Sequence, residues 1–552
     1  MKLIVKLPSF EAESIEVETN MEAREILNHL KNKPIYPVYG CKVDNAYRGL
    51  LHNVHRDCTV EFLDIRNQAM WLVYQNSLVL LYLKAVHDVL GKDVLVSINN
   101  SLSKGLFTVI KTNVNQQVVT QIEDHMRELV KKDIPIIKRY LRKSDAIKLA
   151  QSYKQQETCR LLQSIEYNED VEIYSLDDEI EIFYNFLVPS TGYLDKFELR
   201  LYRSGVLLRY PHQSDPNTIP YFEDQKQLYD AFSEATKWGQ LMQVNYVTDL
   251  NEKIKKGETK DLYLLQEALH EKKISDIADS IFKRKSRVVL ICGPSSSGKT
   301  TFAKRLCIQL GVCGLKTLYM GTDDYFLERE QTPLDENGEK DYESIRAVDT
   351  KLFVHDLQQL LNGEEADLPT YDFINGKKVF GNRKVRLEKN QVIVIEGIHA
   401  LNSLLTEGID EKEKFKIYIS PFTPISIDRH NRIPTTDCRL LRRMVRDYQF
   451  RGWGVKKTLA SWSKVRSGED VNIFPFNSQA DVFFNSNCIY ELAVLKKYAE
   501  PLLKKVTRED EEYGEAQRML SFLRFFDEVK DDDLIVNNSI IREFIGGSII
   551  VE

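Results

Sequence analysis

The segment GPSSSGKT at Gly293–Thr300 is the feature that most constrains this chain. Its pattern lets backbone N–H groups surround phosphates, provided that a strand precedes it and a helix follows it. The apolar run Val288–Cys292 and the helix-forming segment Thr301–Leu310 supply that context. The pattern therefore predicts a nucleotide-binding loop, with Lys299 on the β- and γ-phosphates and Thr300 on Mg²⁺.

This loop begins past the midpoint of a 552-residue chain. Such a length predicts about three or four domains of roughly 150 residues each. The composition, 43% hydrophobic and 29% charged, is that of an ordinary globular protein. A net charge of -6 excludes a polycation, so any nucleic-acid contact needs a local basic patch.

Cysteine spacing and two apolar segments indicate the compartment of the protein and whether it enters a membrane. The eight cysteines form no Cys-x-x-Cys pair, which fits a reducing compartment. The N-terminal MKLIVKLPSF lacks an apolar signal core, and LVLLYL at 78–83 is too short to span a bilayer. We therefore expect a cytoplasmic protein with no membrane partner.

The chain is predicted to fall into five segments. Residues 1–65 alternate like strands of a small α+β module, with a helix at 21–30 whose start carries the capping-box pair Thr19 and Glu22. Residues 66–235 mix helical stretches, Gln68–Leu90 and Val118–Arg142, with strand-like ones. The remaining segments are a helical connector at 236–284, an α/β domain with a doubly wound parallel sheet at 285–487, and a helical tail at 488–552.

Two classes of nucleotide-binding protein compete for this loop. A GTPase needs Asn-Lys-x-Asp, but Asn32-Lys33 is followed by Pro-Ile and precedes the loop. The Asp335-x-x-Gly338 sequence lies in a polar stretch that is typical of a turn. A small-molecule kinase instead needs an acceptor base, an acid near the metal and a set of arginines.

The kinase parts all have candidates. Asp323 and Asp324 follow the strand-like LYMG, and Glu396 ends the buried run Val392–Ile395. Arginines spaced by three, four and seven would share one side of a helix, with one more at its end; these are Arg439, Arg442, Arg443, Arg446 and Arg451. The aspartates could instead cap a helix, and the arginines could form a solvated face or an RNA-binding stripe.

A series of motifs in order carries a family resemblance: GPSSSGKTT, DDYF, DYESIRAVD at 341–349, PTYDF at 369–373, IVIEG at 393–397 and DCRLLRRMVRDYQFRG at 437–452. This segment resembles the uridine kinase and phosphoribulokinase family. The resemblance implies an enzyme that uses ATP and Mg²⁺ to phosphorylate a nucleoside 5′-hydroxyl.

The resemblance also implies roles for single residues. Asp323 would be the general base and, with Thr300 and Glu396, a neighbour of the metal. Catalysis would further use Lys299, Arg443 and Arg446. ATP would be held by the loop and two arginines, namely Gly293, Ser295, Ser296, Ser297, Gly298, Lys299, Thr300, Thr301, Arg442 and Arg451. The acceptor would contact Asp323, Glu343, Tyr371, Phe373 and Arg439.

Departures from the family pattern concern the acceptor. Asp-Asp-Tyr-Phe replaces the usual Asp-Ser-Phe-Tyr, and Glu343 stands where the family has a ribose-binding aspartate. Gly376 replaces the histidine that contacts the pyrimidine, and Trp453 replaces the second arginine of Arg-Gly-Arg. The phosphoryl-transfer residues are kept, and the base preference stays open.

The upstream half shows a second resemblance. Residues 1–65 resemble a TGS domain on the segment VYGCKVDNAYRGL…VEFLDI, and residues 66–235 resemble the editing domain of threonyl-tRNA synthetase on FLVPSTGYLDKFELRLY and NSLVLLYLKAVHDVL. Asn76 and Leu80 occupy the positions of that domain's histidine pair, so no metal site of its type is expected. The pair His52 and His55 is interpreted as a surface pair.

The leading interpretation is an ATP- and Mg²⁺-dependent nucleoside kinase whose arrangement resembles the TGS-containing members of the uridine kinase family. One alternative is a kinase for another hydroxyl acceptor, such as a phosphorylated sugar. Another is an RNA-associated regulatory protein whose loop acts as a nucleotide switch. RNA binding by the N-terminal half and homo-oligomer formation remain open.

Overall fold

The computed structural model describes residues 1–164, 170–335 and 338–551. Residues 1–65 form a mixed five-stranded sheet in the order β2-β1-β7-β4-β5. Leu3 and Val5 of β1 are buried while their neighbours are exposed, the alternation of a half-buried strand. The elements are β1 (Lys2–Lys6), β2 (Glu13–Glu16), β3 (Met21–Glu22), α1 (Ala23–Ile26), β4 (Val38–Val43), β5 (Ala46–Arg48), β6 (Asn53–Val54) and β7 (Cys58–Asp64).

The helix expected at 21–30 is shorter than predicted. Met21–Glu22 pairs with Asn53–Val54 as a strand, so the helix covers only Ala23–Ile26 and continues as a 3₁₀ turn, Leu27–His29. The capping box of Thr19 and Glu22 was wrong, because Glu22 is itself the N-cap residue and its side chain makes no capping hydrogen bond.

Residues 68–209 surround one long helix with two antiparallel sheets, β13-β14-β9-β8 and β10-β11-β12. Asn67 caps the helix by accepting hydrogen bonds from the backbone N–H groups of Ala69 and Met70. The elements are α2 (Gln68–Leu90), β8 (Val96–Leu102), β9 (Gly105–Ile110), α3 (Gln116–Lys131), β10 (Ile137–Leu141), α4 (Lys143–Ser152), α5 (Gln156–Ser164), β11 (Val171–Leu176), β12 (Glu179–Glu181), β13 (Glu198–Tyr202) and β14 (Gly205–Arg209).

Helix α2 has the bounds that the sequence predicted. It is long and apolar enough to cross a membrane by length and composition, but 89% of its most apolar window is buried inside the protein. The helix expected at Val118–Arg142 ends instead at Lys131, and Ile137–Leu141 pairs with β11. Asp133 takes a left-handed φ of 47° and Pro135 follows, which stops the helix.

Three helices connect this part to the α/β domain: α6 (Lys226–Met242), α7 (Val247–Lys256) and α8 (Thr259–Arg284). The α/β domain then adds β15 (Val288–Cys292), α9 (Lys299–Val312), β16 (Lys316–Gly321), α10 (Thr350–Leu361), β17 (Glu365–Asp367), β18 (Thr370–Asp372), β19 (Lys377–Val379), β20 (Lys384–Arg386), β21 (Gln391–Glu396), β22 (Lys414–Ser420), α11 (Thr435–Phe450), α12 (Val455–Asn472) and β23 (Val482–Asn485). Its main sheet, β16-β21-β15-β22-β23, is entirely parallel. The α/β class and the parallel sheet predicted for this region are confirmed.

The C-terminal tail contains α13 (Glu491–Leu503), α14 (Tyr513–Leu523) and α15 (Arg542–Ile545). Its apolar side chains share one buried core with β15 and α9. The tail also contacts the first module, where Asn45 donates a hydrogen bond to the carbonyl of Arg508 at 2.9 Å. The tail is therefore part of the α/β domain's core and bridges it to the N-terminal sheet.

Candidate active site

The phosphate loop joins β15 to α9 at the carboxyl edge of the sheet. Gly298 has a φ of 83°, which favours glycine, and a side chain at Gly293 would collide with the carbonyl oxygen of Ile419. Lys299 is buried and its Nζ donates to the carbonyl of Pro294 at 3.2 Å. The first turn of α9 directs backbone N–H groups to this loop, where a helix N-terminus can bind an anion.

Two acids end neighbouring strands beside this loop. Gly321, the last residue of β16, pairs with Glu396 of β21, and Asp323 follows two residues later in a 3₁₀ turn. Glu396 accepts a hydrogen bond from the hydroxyl of Tyr319 at 2.8 Å and lies 3.4 Å from Oγ1 of Thr300. The fold thus brings together the residues predicted to be the base and the metal ligands.

Burial shapes the charges of this cluster. Burial raises the pKa of Glu396 to about 7, where Lys299 opposes the rise and Asp323 adds repulsion. Desolvation also raises the pKa of Asp323, although its side chain is open to solvent, and Lys299 opposes this rise. A cation would favour the ionised forms of these carboxylates. The donor set, two carboxylates and the hydroxyl of Thr300, is made of the hard oxygen ligands that Mg²⁺ prefers. The residues therefore fit a magnesium ion.

Glu343 approaches the same cluster from the loop that precedes α10. Burial raises its pKa to about 7, Glu469 adds to the rise, and Arg443 and Lys299 oppose it. Its side chain packs against the position that a Cβ of Gly468 would take, at 2.5 Å. Asp324, the other acid of the pair, lies 3.2 Å from Arg383 and accepts from the N–H of Tyr371 at 3.4 Å.

Helix α11 points arginines at the phosphate loop, but buried acids hold two of them. Arg439 donates to the carbonyl of Ser295 at 3.2 Å and pairs with Glu469, which is fully buried. Arg442 donates to the carbonyl of Ser486 at 2.8 Å and pairs with Glu491. These two guanidinium groups are thus fixed beside the loop by buried carboxylates.

The other three arginines converge on one carboxylate. Asp447 is fully buried and lies 3.3 Å from Arg443, 2.8 Å from Arg446 and 3.6 Å from Arg451. Arg443 also donates to the hydroxyl of Ser295 at 2.9 Å. The arginines of α11 therefore share one side of the helix, as their spacing predicted. The role of each arginine in phosphoryl transfer stays a prediction.

Aromatic rings line the other side of the cluster. Tyr371 is buried, its hydroxyl donates to the carbonyl of Leu327 at 3.1 Å, and its ring meets that of Phe373 at 5.0 Å and 70°. Phe373 is 61% exposed. Gly376, with a φ of 68°, leaves its side-chain space to Arg329, which would lie 2.7 Å from a Cβ there. The side chain of Arg329 thus occupies the space beside Gly376.

The C-terminal tail contributes to the site, and no sequence pattern predicts this. Glu543 accepts hydrogen bonds from the backbone N–H of Thr301 at 3.1 Å and from its hydroxyl at 2.6 Å. Phe544 lies under the guanidinium of Arg442, with 4.9 Å to the ring centroid. The segment REFIGGS near the end contains both residues, but no spacing rule connects it to the loop.

Comparison with known proteins gives this site a family. Residues 288–492 match the family Phosphoribulokinase / Uridine kinase. The C-terminal part of the chain is a P-loop kinase domain of this family. Uridine kinase of Staphylococcus haemolyticus (strain JCSC1435) is 29% identical to the chain over 197 residues, which are 35% of this chain and 85% of that protein. Uridine kinase of Macrococcus caseolyticus (strain JCSC5402) is 28% identical over 200 residues, with 36% and 87% covered.

Solved structures resemble the kinase domain at lower identity. A possible uridine kinase from Bacillus stearothermophilus is 21% identical, with a TM-score of 0.27 over 38% of this chain and 99% of that one. D-glycerate 3-kinase from Cryptococcus neoformans var. grubii is 16% identical, with a TM-score of 0.22 over 48% and 89%. The family match begins at residue 288, so the TGS-like and editing-like interpretations of 1–65 and 66–235 stay predictions.

Proposed function

We propose that this protein is an ATP- and Mg²⁺-dependent kinase that phosphorylates the 5′-hydroxyl of a nucleoside. The observation that carries the proposal is the carboxylate of Asp323 at the carboxyl edge of β16, beside the phosphate loop and its Lys299. A switch protein needs no acceptor base, whereas a kinase needs one within reach of the transferring phosphoryl group. The family match of the domain supports phosphotransfer.

In this proposal each residue beside the phosphate loop has its own role in phosphoryl transfer. Asp323 accepts the proton of the attacking hydroxyl, for which its raised pKa suits it. Thr300 and Glu396 would hold Mg²⁺, which would supply charge neutralisation at the phosphates. Lys299 releases the carbonyl of Pro294 and turns to the β- and γ-phosphates of ATP.

The arginines add charge at the transferring group. Arg443 lies at the loop through Ser295, while Arg446 and Arg451 are held nearby by Asp447. Arginine charge that is pre-placed at a phosphoryl group stabilises the charge that spreads over its oxygens in the transition state. The proposal therefore assigns Arg443 and Arg446 to transition-state stabilisation.

The proposed acceptor site offers aromatic rings for stacking but no side chain at Gly376 to read the base. Tyr371 and Phe373 offer aromatic faces on which any base can stack. Glu343 lies on the ribose side, and Gly376 offers only backbone to the base. Because stacking discriminates poorly between bases, we propose broad acceptance or preference for a base other than uracil and cytosine.

A second acceptor class is favoured by one observation. Arg329 fills the space beside Gly376 and donates to the carbonyl of Phe373 at 2.7 Å. A guanidinium at the acceptor mouth binds phosphate or carboxylate well, so an anionic acceptor such as a phosphorylated sugar is the second candidate.

The proposal is tested by ADP release with and without added nucleosides. We expect slow release with Mg²⁺-ATP alone and faster release when an accepted nucleoside is added. Stimulation by sugar phosphates and by no nucleoside would move the proposal to the second candidate. Release that no acceptor stimulates would contradict both and favour the nucleotide-switch alternative.

We also propose that the N-terminal half lacks hydrolytic editing. Leu80 on α2 is fully buried in the core, and Asn76 stands one turn before it. Neither side chain is an imidazole that could bind zinc or act as a base. One equivalent of zinc in purified protein, or deacylation of a mischarged tRNA, would contradict this proposal.

A further inference from the structure

A cavity of about 360 Å³ lies between the N-terminal half and the kinase domain. Trp71 at the start of α2 and Lys104 in the β8–β9 turn form one wall, and Pro294 of the phosphate loop and Thr436 at the start of α11 form the other. Its volume is in the range of small-molecule sites. The cavity is separate from the cluster of Asp323 and Glu396.

An unpaired arginine lines this cavity. The Nε atom of Arg432 is buried without a hydrogen-bond partner, and the guanidinium forms no ion pair with the residues that the structure describes. Burial lowers its pKa, and the attraction of Asp437 opposes the change only in part. Asp437 is itself bound by both terminal nitrogens of Arg518, at 2.7 and 2.8 Å. The side chain of Arg432 is partly buried and forms no described ion pair, so an anion in the cavity would complement its charge.

The surrounding groups also favour an anion. Helix α11 starts at Pro434 without a side-chain cap, and the hydroxyl of Thr436 is buried without a partner. The positive end of the α11 dipole, with the N–H groups of its first turn, therefore lies at the wall of the cavity. The charged lining residues are four cations, Lys104, Arg432, Arg439 and Arg466, against two acids, Glu223 and Asp470, and Glu469 outside the lining pairs with both Arg439 and Arg466.

Rings also line the cavity. The ring centroids of Trp71 and His212 are 6.3 Å apart, and Phe474 adds a third ring to the lining. Burial lowers the pKa of His212 to about 4, so its imidazole is neutral at pH 7 and adds no charge. An apolar, ring-lined part next to a cationic part is complementary to a planar molecule with one charged end.

We propose that this cavity binds a small aromatic anion, with its anionic group between Arg432 and the start of α11 and its ring against Trp71 and His212. The site is built from both halves of the chain, which gives the N-terminal half a role next to the kinase domain. Arg439 lines the cavity and also donates to the carbonyl of Ser295. The cavity therefore borders an arginine that contacts the phosphate loop.

The test uses 1-anilinonaphthalene-8-sulfonate, an aromatic anion, with the full-length protein. Saturating Mg²⁺-ADP is present so that the phosphate loop is occupied. We expect one binding site per chain, with energy transfer from tryptophan that decreases in Trp71→Phe. Arg432→Gln should raise the dissociation constant at least about tenfold, since it removes a charge-assisted contact. Lys104→Gln should raise the dissociation constant only about two- to fivefold, because Lys104 is exposed and solvent screens its charge.

The matched control is Arg429→Gln. Arg429 lies three residues before Arg432, pairs with Glu157 at 2.7 Å and lies outside the cavity lining, so binding should not change. Circular dichroism and thermal unfolding verify the fold of each variant. If Arg432→Gln does not fold, the dissociation constant of Lys104→Gln and the energy transfer in Trp71→Phe test the proposal instead. Unchanged affinity in the folded cavity variants, or an equal loss in Arg429→Gln, would overturn the proposal.

Discussion

The carboxylate of Glu543 caps the first turn of α9 by accepting hydrogen bonds from both the N–H and the hydroxyl of Thr301. The same helix start is where phosphates are expected to bind. Ile540, three residues earlier, packs against Gly298 so closely that its Cγ2 lies 2.5 Å from a Cβ position there. The tail thus brings a negative charge to the edge of the nucleotide site.

Glu543→Ala is expected to tighten Mg²⁺-ADP binding. The carboxylate competes with phosphate oxygens for the N–H of Thr301, and a charge-assisted hydrogen bond contributes about 1.5–3 kcal/mol, so the dissociation constant should fall about tenfold. Titration calorimetry measures this. Glu528→Ala, an exposed glutamate of the same tail, should leave binding unchanged. Weaker ADP binding in Glu543→Ala would show that the carboxylate supports the site instead.

The pKa of Glu396, raised to about 7, predicts a pH-dependent effect of Mg²⁺. Between the ordinary glutamate pKa and 7, the folded protein holds a proton that the unfolded chain does not, so this group lowers stability as the pH rises through that window. Mg²⁺ stabilises the ionised form and must displace the proton below pH 7. The increase in unfolding temperature caused by Mg²⁺-ADP should therefore be larger at pH 8 than at pH 6.

The control for this prediction is Glu343→Gln. The pKa of Glu343 is also raised to about 7, but Glu343 is not proposed to hold the metal. Glu396→Gln should lose the difference between pH 6 and pH 8, and Glu343→Gln should keep most of it. An equal Mg²⁺ effect at both pH values in the unmodified protein would contradict the assignment of Glu396.

The kinase sheet could be predicted because its strands are continuous apolar runs. Val288–Cys292 and Val392–Ile395 are buried as such runs predict for a parallel sheet. The register that places Gly321 opposite Glu396 follows from the same topology, in which carboxyl ends meet at one edge. In the first module, pairing of Met21–Glu22 with a distant strand overrode the local helix signal.

The buried acids beside the arginines could not be predicted from spacing. Glu469 lies on α12 and meets Arg439 of α11 only because the two helices pack together. Glu543 meets Thr301 across 242 positions of the chain. Long-range polar pairs of this kind depend on tertiary packing, and no local periodicity encodes them.

Glu469→Gln is expected to destabilise the kinase domain. It leaves Arg439 buried without its carboxylate, and breaking a buried pair costs about 3–5 kcal/mol. Although burial opposes its charge, Arg439 and Arg466 hold the pKa of Glu469 below the ordinary value, so this stabilisation is present at neutral pH and is lost in acid. Urea unfolding measures the loss, with the exposed Glu511→Gln as control. A change under about 1 kcal/mol would contradict a stabilising pair.

The acceptor preference tests the pairing of Gly376 with Arg329. Because Gly376 offers no side chain to the base, uridine and cytidine should not exceed purine nucleosides in kcat/KM by more than about a hundredfold, on the order of 3 kcal/mol. Arg329→Ser should change KM for the acceptor and leave KM for ATP unchanged, and the exposed Arg386→Ser should change neither. A larger pyrimidine preference would identify an ordinary uridine kinase specificity.

The central claim is tested most directly by nucleoside 5′-monophosphate formation in wild-type protein and in Asp323→Asn. We expect the wild type to convert at least one nucleoside and Asp323→Asn to lose about a hundredfold or more in kcat, with its ATP affinity kept, because the variant removes the general base and leaves the phosphate loop and Lys299 in place. Lys299→Ala should lose activity and ATP affinity together. Near-normal turnover by Asp323→Asn, or no monophosphate from any nucleoside in the wild type, would contradict the account.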